Sequence, residues 1–117
     1  MNSPLSAQSI AFSIDMVNYY KWLTESRKEY ILSKQILRSA TSVGANLHEA
    51  QYAVSKSDFV AKMQISLKEA SETEYWLIVL EETGYLPDEF LNLKTKCLSL
   101  KRMLVSALNT AKAGNRE

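Results

Sequence analysis

Residues 26–84 read SRKEYILSKQILRSATSVGANLHEAQYAVSKSDFVAKMQISLKEASETEYWLIVLEETG, and the rest of the chain is expected to pack on them. Two long segments with helical periodicity are separated here by a short polar turn at residues 54–57. In each segment apolar or small residues recur at steps of four and three, the spacing with which helices pack nearly parallel to their neighbours. These positions are Ile36, Ala40, Val43, Leu47, Ala50 and Val54 in the first segment and Phe59, Met63, Ser66, Ala70, Thr73, Leu77 and Leu80 in the second. The pattern predicts a helical hairpin, in which small residues allow Ala40 and Gly44 to approach Ala70.

The ends of these segments carry helix-capping signals. Ser55 followed by Asp58 predicts a capping box at the start of the second helix, and Ser26 with Glu29 a second one before the first. Gly84 is suited to the left-handed turn that ends a helix, and a proline three residues later suits the first turn of the next helix.

Working outward, the same patterns predict two more helices. We expect helices at about residues 4–25, 27–54, 56–83 and 87–112 in one domain, with a disordered tail at 114–117. In the first helix Ile10, Ile14 and Val17 form one apolar stripe, and an adjoining stripe consists of Phe12, Met16, Tyr19 and Leu23. An apolar face of this width indicates contacts on two sides. The predicted fold is an all-α, up-down-up-down, left-handed four-helix bundle.

The hairpin also resembles a known family. Residues 38–46 follow the pattern Arg-Ser-Ala-x-Ser-Val-x-x-Asn, and with parts of residues 57–86 they resemble the four-helix-bundle proteins encoded in intervening sequences of bacterial 23S rRNA genes. That family is similar to the accessory variability protein (Avd) of diversity-generating retroelements. The resemblance covers residues 26–86. It implies a homopentamer, with RNA or a reverse transcriptase as partner. Many relatives have Ala-Glu-Gly where this chain has His48-Glu49-Ala50, which should stiffen the helix here.

Composition limits the possible functions. The net charge of +1 gives no overall attraction to nucleic acid, and a single cysteine excludes an internal disulfide framework and suits a cytoplasmic location. No apolar run is long enough to cross a membrane, and the N-terminus lacks the pattern of a secretion signal. We expect no membrane partner, no small-molecule substrate and no cofactor.

The charges are unevenly distributed along the chain. Residues 21–68 contain eight basic and four acidic side chains, residues 69–89 seven acidic and none basic, and residues 90–117 six basic and one acidic. These charges would form solvated faces with weak ion pairs, or the basic ones would form a nucleic-acid surface that an oligomer multiplies. The candidate nucleic-acid-binding residues are Lys34, Arg38, Lys94, Lys96, Lys101, Arg102 and Lys112.

Aromatic residues exceed what one narrow helix seam can bury. Tyrosine and tryptophan are favoured in interface cores, so the surplus supports self-association; alternatively, the tryptophans cover the ends of the bundle. The candidate interface residues are Tyr19, Trp22, Tyr75 and Trp76.

No residue cluster has the spacing of a catalytic or metal site. His48 is the only histidine, so a ferritin-like di-metal site is unavailable, and Cys97 falls on the predicted core seam of the last helix. Arg38 and His48 are ten positions apart, unlike the pair in small helical ribonucleases. Asn46 is expected to fix helix register from a buried position, or alternatively to contact a ligand.

The sequence thus predicts a non-enzymatic oligomeric accessory protein that binds RNA, DNA or a nucleic-acid enzyme. The alternative is a protein-interaction scaffold that does not bind nucleic acid.

Overall fold

Four long helices make up most of the computed structural model, which describes residues 3–114. They are α1 (Pro4–Glu25), α2 (Leu32–Ala50), α3 (Lys56–Glu82) and α4 (Asn92–Gly114), and a 3-10 turn (Asp88–Phe90) precedes α4. Each helix packs on the next along the chain, and α4 also packs on α1, giving a rod of 52 × 22 × 21 Å. The prediction of an all-α four-helix bundle is confirmed. Apart from Gly114, the predicted tail lies outside the described residues.

The core follows the predicted periodicity closely. Every predicted position of α2 from Ile36 to Ala50 is buried, as is every predicted α3 position from Met63 to Leu80, whereas Phe59 is half-buried and Val54 is exposed. In α1 the core is formed by Phe12, Met16, Tyr19 and Leu23, and in α4 by Leu93, Cys97, Leu100, Leu104 and Leu108.

The start of α2 differs from the prediction, because residues 27–31 form a loop and not the first turn of the helix. Lys28 has a φ of 56°, which a right-handed helix does not tolerate. The carboxylate of Glu29 then accepts hydrogen bonds from the backbone N–H groups of Ile31 (3.2 Å), Leu32 (3.1 Å) and Ser33 (2.7 Å). Glu29 therefore caps α2 from outside the helix, and the capping box with Ser26 is wrong.

The end of α2 and the start of α4 also differ from the prediction. After Ala50 the backbone N–H groups bond to carbonyls three residues back, which tightens the chain into a turn four residues earlier than expected. Pro87 begins a 3-10 turn, and α4 starts only at Asn92. In contrast, the Ser55 hydroxyl accepts from the Asp58 N–H at 3.0 Å and Gly84 has a φ of 84°, so these capping predictions are confirmed.

Buried hydroxyl groups join α2 to α3. Ser66 donates to the Val43 carbonyl at 2.8 Å, and Thr73 lies 2.9 Å from the Ser39 hydroxyl. Asn46 was expected to set the register, but its amide donates to the Ser42 carbonyl of the same helix. The register prediction for Asn46 is therefore wrong, since a bond within one helix cannot select the alignment of two.

Gly44 faces α1, so the expected approach of Gly44 to Ala70 is also wrong. A Cβ at Gly44 would lie 3.3 Å from the Ser13 hydroxyl and 3.4 Å from the Ser9 carbonyl oxygen. The two serines and the glycine thus set the close packing of α1 on α2.

One end of the bundle is closed by an aromatic cluster. Tyr19 and Trp22 both pack on Phe90, with ring centroids 5.1 and 5.6 Å away. The Tyr19 hydroxyl donates to the Tyr85 carbonyl at 2.7 Å. Arg27 lies over the Tyr85 ring at 4.4 Å. This cluster ties the α1–α2 loop to the α3–α4 connection.

Candidate nucleic-acid interface

Four of the seven predicted nucleic-acid-binding residues form ion pairs within the chain. Arg38 contacts Glu69 and Glu72 on α3, Lys94 contacts Glu81 at 2.5 Å, Lys101 contacts Glu74 at 2.6 Å, and Lys96 contacts Asp15 on α1. The carboxylates in the acidic half of α3 thus form ion pairs with basic side chains of both neighbouring helices, α2 and α4. The Arg38 hydrogen bond, followed by that from the Trp76 indole, lowers the pKa of Glu72.

These ion pairs occupy three different grooves of the bundle. Arg38 lies between α2 and α3, Lys94 and Lys101 between α3 and α4, and Lys96 between α1 and α4. One chain therefore does not bring the seven cations to one surface, and nearby carboxylates offset four of the charges.

The other three cations, Lys34, Arg102 and Lys112, are exposed. Among residues 3–114 no carboxylate lies within 4 Å of their charged nitrogens. Arg102 lies on the side of α4 that faces away from the core, whereas Lys112 lies about 15 Å further along the helix and roughly a quarter of a turn around it, at about 3.6 residues per turn and a rise of about 1.5 Å per residue. Arg102 lines a shallow groove of 590 Å³, whose wall includes the polar Asn109 and Thr110 and the apolar Leu98 and Val105. Cations and amide or hydroxyl groups are the side chains that contact phosphates.

The predicted interface aromatics have different environments. Tyr19 has no exposed surface and cannot touch a second chain, so its assignment to an interface is wrong. Trp22 is half-buried in the aromatic cluster, and the Trp76 indole donates to Glu72 at 3.1 Å. Tyr75 is 58% exposed and packs edge-on against Trp76. Only Tyr75 presents most of its side chain to solvent.

Two stripes of aliphatic side chains are exposed on different helices. The α1 stripe consists of Ile10, Ile14 and Val17, which are 55%, 58% and 38% exposed. The α4 stripe consists of Leu91, which directly precedes α4, and of Leu98 and Val105 on the helix; these residues are 39%, 37% and 43% exposed. The α1 stripe was visible in the sequence. The α4 stripe was missed, although its spacing of seven residues is a detectable signal.

The remaining chemical candidates, His48 and Cys97, have different environments. His48 is exposed and packs beside Tyr52, with ring centroids 5.5 Å apart. Cys97 is buried, and desolvation raises the pKa of its thiol to about 12, so the reactive thiolate is scarce near neutral pH. Within residues 3–114 no group of three or more His, Cys, Asp or Glu side chains could hold a metal ion. No helix in the same range is long and apolar enough to cross a membrane.

Comparison with known proteins identifies the relatives of this bundle. The sequence profile of the 23S rRNA-intervening sequence protein family matches residues 3–106, most of the chain. The chain belongs to the 23S rRNA-intervening sequence protein family. The family resemblance of residues 26–86 is thereby confirmed and extends well beyond them.

A solved structure from Bacteroides thetaiotaomicron, a protein of unknown function from the S23 ribosomal protein family, is similar to this family member throughout. The two sequences are 43% identical, and the TM-score is 0.86 over 89% of this chain and 97% of that one. No curated protein matches this 23S rRNA-intervening sequence protein. Neither the family description nor that structure's description states an activity.

Proposed function

We propose that this protein is a non-enzymatic, self-associating accessory protein that binds nucleic acid in the cytoplasm. The observation that carries the proposal is the pair of exposed cations on α4, Arg102 and Lys112, which have no carboxylate within 4 Å among residues 3–114. A phosphate backbone needs such unpaired cations, because its affinity comes largely from counterion release.

Self-association multiplies this small number of cations. The α1 and α4 stripes differ, so a contact between the α1 stripe of one copy and the α4 stripe of the next is head-to-tail. Such a contact forms a ring if the rotation closes, and the similarity to Avd supports a ring of five with a left-handed bundle as its subunit. Each added copy would bring another Lys34 and Lys112 to the assembly, and Arg102, which shares a groove with Leu98 and Val105 of the α4 stripe, would lie at the edge of the contact.

Binding to a fluorescent structured RNA and to a DNA duplex, measured by anisotropy at about 50 mM salt, tests the nucleic-acid proposal. We expect Arg102→Gln/Lys112→Gln to weaken binding at least tenfold. The matched control is Lys21→Gln/Lys68→Gln, which removes the same charge from exposed positions of α1 and α3 and should bind as the native protein does. Equal affinity of both double variants would reject the α4 site.

Sedimentation of stripe variants tests self-association. Ile14→Glu and Val105→Glu should each lower the mass to that of one chain, 13.3 kDa, because a charge in an apolar contact is costly. Val54→Glu, a change at a 92% exposed residue outside both stripes, should leave the mass unchanged.

Mixing the two stripe variants tests the head-to-tail arrangement itself. Ile14→Glu keeps an intact α4 stripe and Val105→Glu keeps an intact α1 stripe, so an equimolar mixture should form dimers and nothing larger. A native protein that sediments as a single chain at micromolar concentration would refute self-association. A mixture that stays monomeric would refute the head-to-tail contact.

The ion pairs favour a second candidate function, a scaffold that docks proteins and does not bind nucleic acid. Arg38, Lys94, Lys96 and Lys101 all contact carboxylates of the same chain, which lowers the charge available to phosphates. Absence of binding to RNA and DNA at 50 mM salt, together with an intact oligomer, would support the scaffold. A reverse transcriptase is the protein partner that the similarity to Avd proposes.

A further inference from the structure

The two ends of the bundle are closed to different extents. Tyr19, Trp22 and Phe90 fill the end near the α1–α2 loop. The opposite end contains a cavity of 440 Å³ to which all four helices contribute. Its wall consists of Ser3, Pro4, Leu5, Ser6, Leu47, Ala50, Gln51, Phe59, Met63, Met103, Ser106 and Ala107.

The wall of this end cavity indicates what it would accept. Ala50 and Ala107 leave space where larger side chains would fill the end, while Phe59, Met63 and Met103 supply an apolar surface. Methionine side chains adapt to ligands of different shape, because they are flexible and polarizable. The volume lies within the range of about 300–1,000 Å³ that is typical of small-molecule sites.

The polar groups of the end cavity further limit the kind of ligand that it could bind. No residue in its wall carries a charge, so a charged ligand would lose its hydration without gaining an ionic partner. The Gln51 amide nitrogen donates to the Ser6 hydroxyl at 3.0 Å, while its amide oxygen has no partner among residues 3–114. The Ser106 hydroxyl is exposed on α4. A ligand hydroxyl could bond to either group.

We propose that the end cavity binds a small uncharged molecule with an alkyl chain and one hydroxyl group. None of the cations of the proposed nucleic-acid interface lines the end cavity, although Ser106 lines both this cavity and the groove beside Arg102. Octanol binding tests the cavity and RNA binding tests the cations, so the failure of one proposal is distinguishable from the failure of the other. The cavity walls come from α1, α2, α3 and α4 together, so an occupant would contact every helix of the bundle.

Titration with 1-octanol, followed by NMR of protein labelled with ¹³C at the methionine methyl groups, tests this proposal. Met63 and Met103 lie in the cavity wall, whereas Met16 is buried in the core away from it and is an internal control. We expect the Met63 and Met103 signals to shift saturably and the Met16 signal to stay in place. Octanoate, the charged analogue, should bind at least tenfold more weakly.

Cavity-filling variants provide the second part of the test. Ala107→Leu should weaken octanol binding at least tenfold, whereas Ala61→Leu, the same change at an exposed α3 position, should not. If Ala107→Leu does not fold, octanol binding is measured instead with Ser106→Leu, a change at the exposed rim. This variant should also weaken octanol binding, because the leucine narrows the entrance of the cavity without entering the core.

Three outcomes would overturn the proposal. One is a Met63 or Met103 signal that does not saturate, and another is equal octanol affinity in the filled variant and the control. The third is a change of these signals with protein concentration in Ile14→Glu, in which the stripe contact is blocked, because a second copy would then occupy the cavity.

Discussion

The Tyr19 hydroxyl should contribute measurably to stability, because it links α1 to the connection before α4. Tyr19→Phe removes one hydrogen bond of 2.7 Å to the Tyr85 carbonyl and keeps the ring that packs on Trp22 and Phe90. Losing such a bond and leaving the carbonyl without its partner costs about 1–2 kcal/mol. The free energy of unfolding should fall by that amount.

Urea unfolding followed by circular dichroism measures this loss. With a slope typical of a small domain, we expect the midpoint to fall by roughly 0.5–1 M. Tyr75→Phe is the matched control, because Tyr75 is 58% exposed and its hydroxyl has no hydrogen-bond partner among residues 3–114. Both variants and the native protein are compared at one protein concentration, since self-association would add to stability. If Tyr19→Phe and Tyr75→Phe unfold at the same urea midpoint, the hydrogen bond from Tyr19 to the Tyr85 carbonyl does not contribute to stability as proposed.

Three further predictions concern pH, the thiol and helix packing. The pKa of Glu72 is lowered in the folded chain, so the ionised Glu72 side chain stabilises the fold above its unfolded pKa of about 4.3, and this stabilisation is lost as pH falls through the lower folded pKa. Thermal unfolding measured between about pH 5 and 2.5 should show this loss of stability in the native protein. The loss should be smaller in Glu72→Gln. Cys97 should react with Ellman's reagent at pH 8 far more slowly in the folded protein than in urea, because the thiol is buried and its pKa is raised to about 12. Gly44→Leu should lower the free energy of unfolding by about 1–3 kcal/mol in urea titrations, because the larger side chain would clash with α1.

Two of these predictions have a matched control variant. Glu82→Gln changes an exposed carboxylate without an ion pair among residues 3–114 and should keep the native pH dependence. Ala45→Leu, at the exposed position next to Gly44, should change the free energy of unfolding little. Equal reactivity of Cys97 before and after unfolding would show that α4 is not packed as described.

Local periodicity was sufficient to predict the core, since burial in a bundle follows steps of three and four. The α2 positions from Ile36 to Ala50 illustrate this. Helix ends were predicted less well, because Glu29 caps α2 from the loop and the sequence suggested instead that Ser26 was the cap. A carboxylate and a serine compete for such positions, and only the path of the loop determines which one reaches the N–H groups.

The candidate site was harder to predict than the core. Lys96 pairs with Asp15 at a separation of 81 residues, and no local pattern shows that these two side chains meet. Tyr19 was assigned to an interface by composition, but its place in the period of α1 puts it in the core. In α1 the sequence shows two adjoining apolar stripes, but only the structure shows that the stripe of Ile10, Ile14 and Val17 is the exposed one.

The salt dependence of RNA binding by the native protein tests the central proposal most directly. Anisotropy measured from about 50 to 200 mM salt should show affinity that falls steeply, by orders of magnitude if an oligomer engages six or more phosphates. Binding that is absent at 50 mM salt, or that does not change across this range, would contradict nucleic-acid binding through the exposed cations.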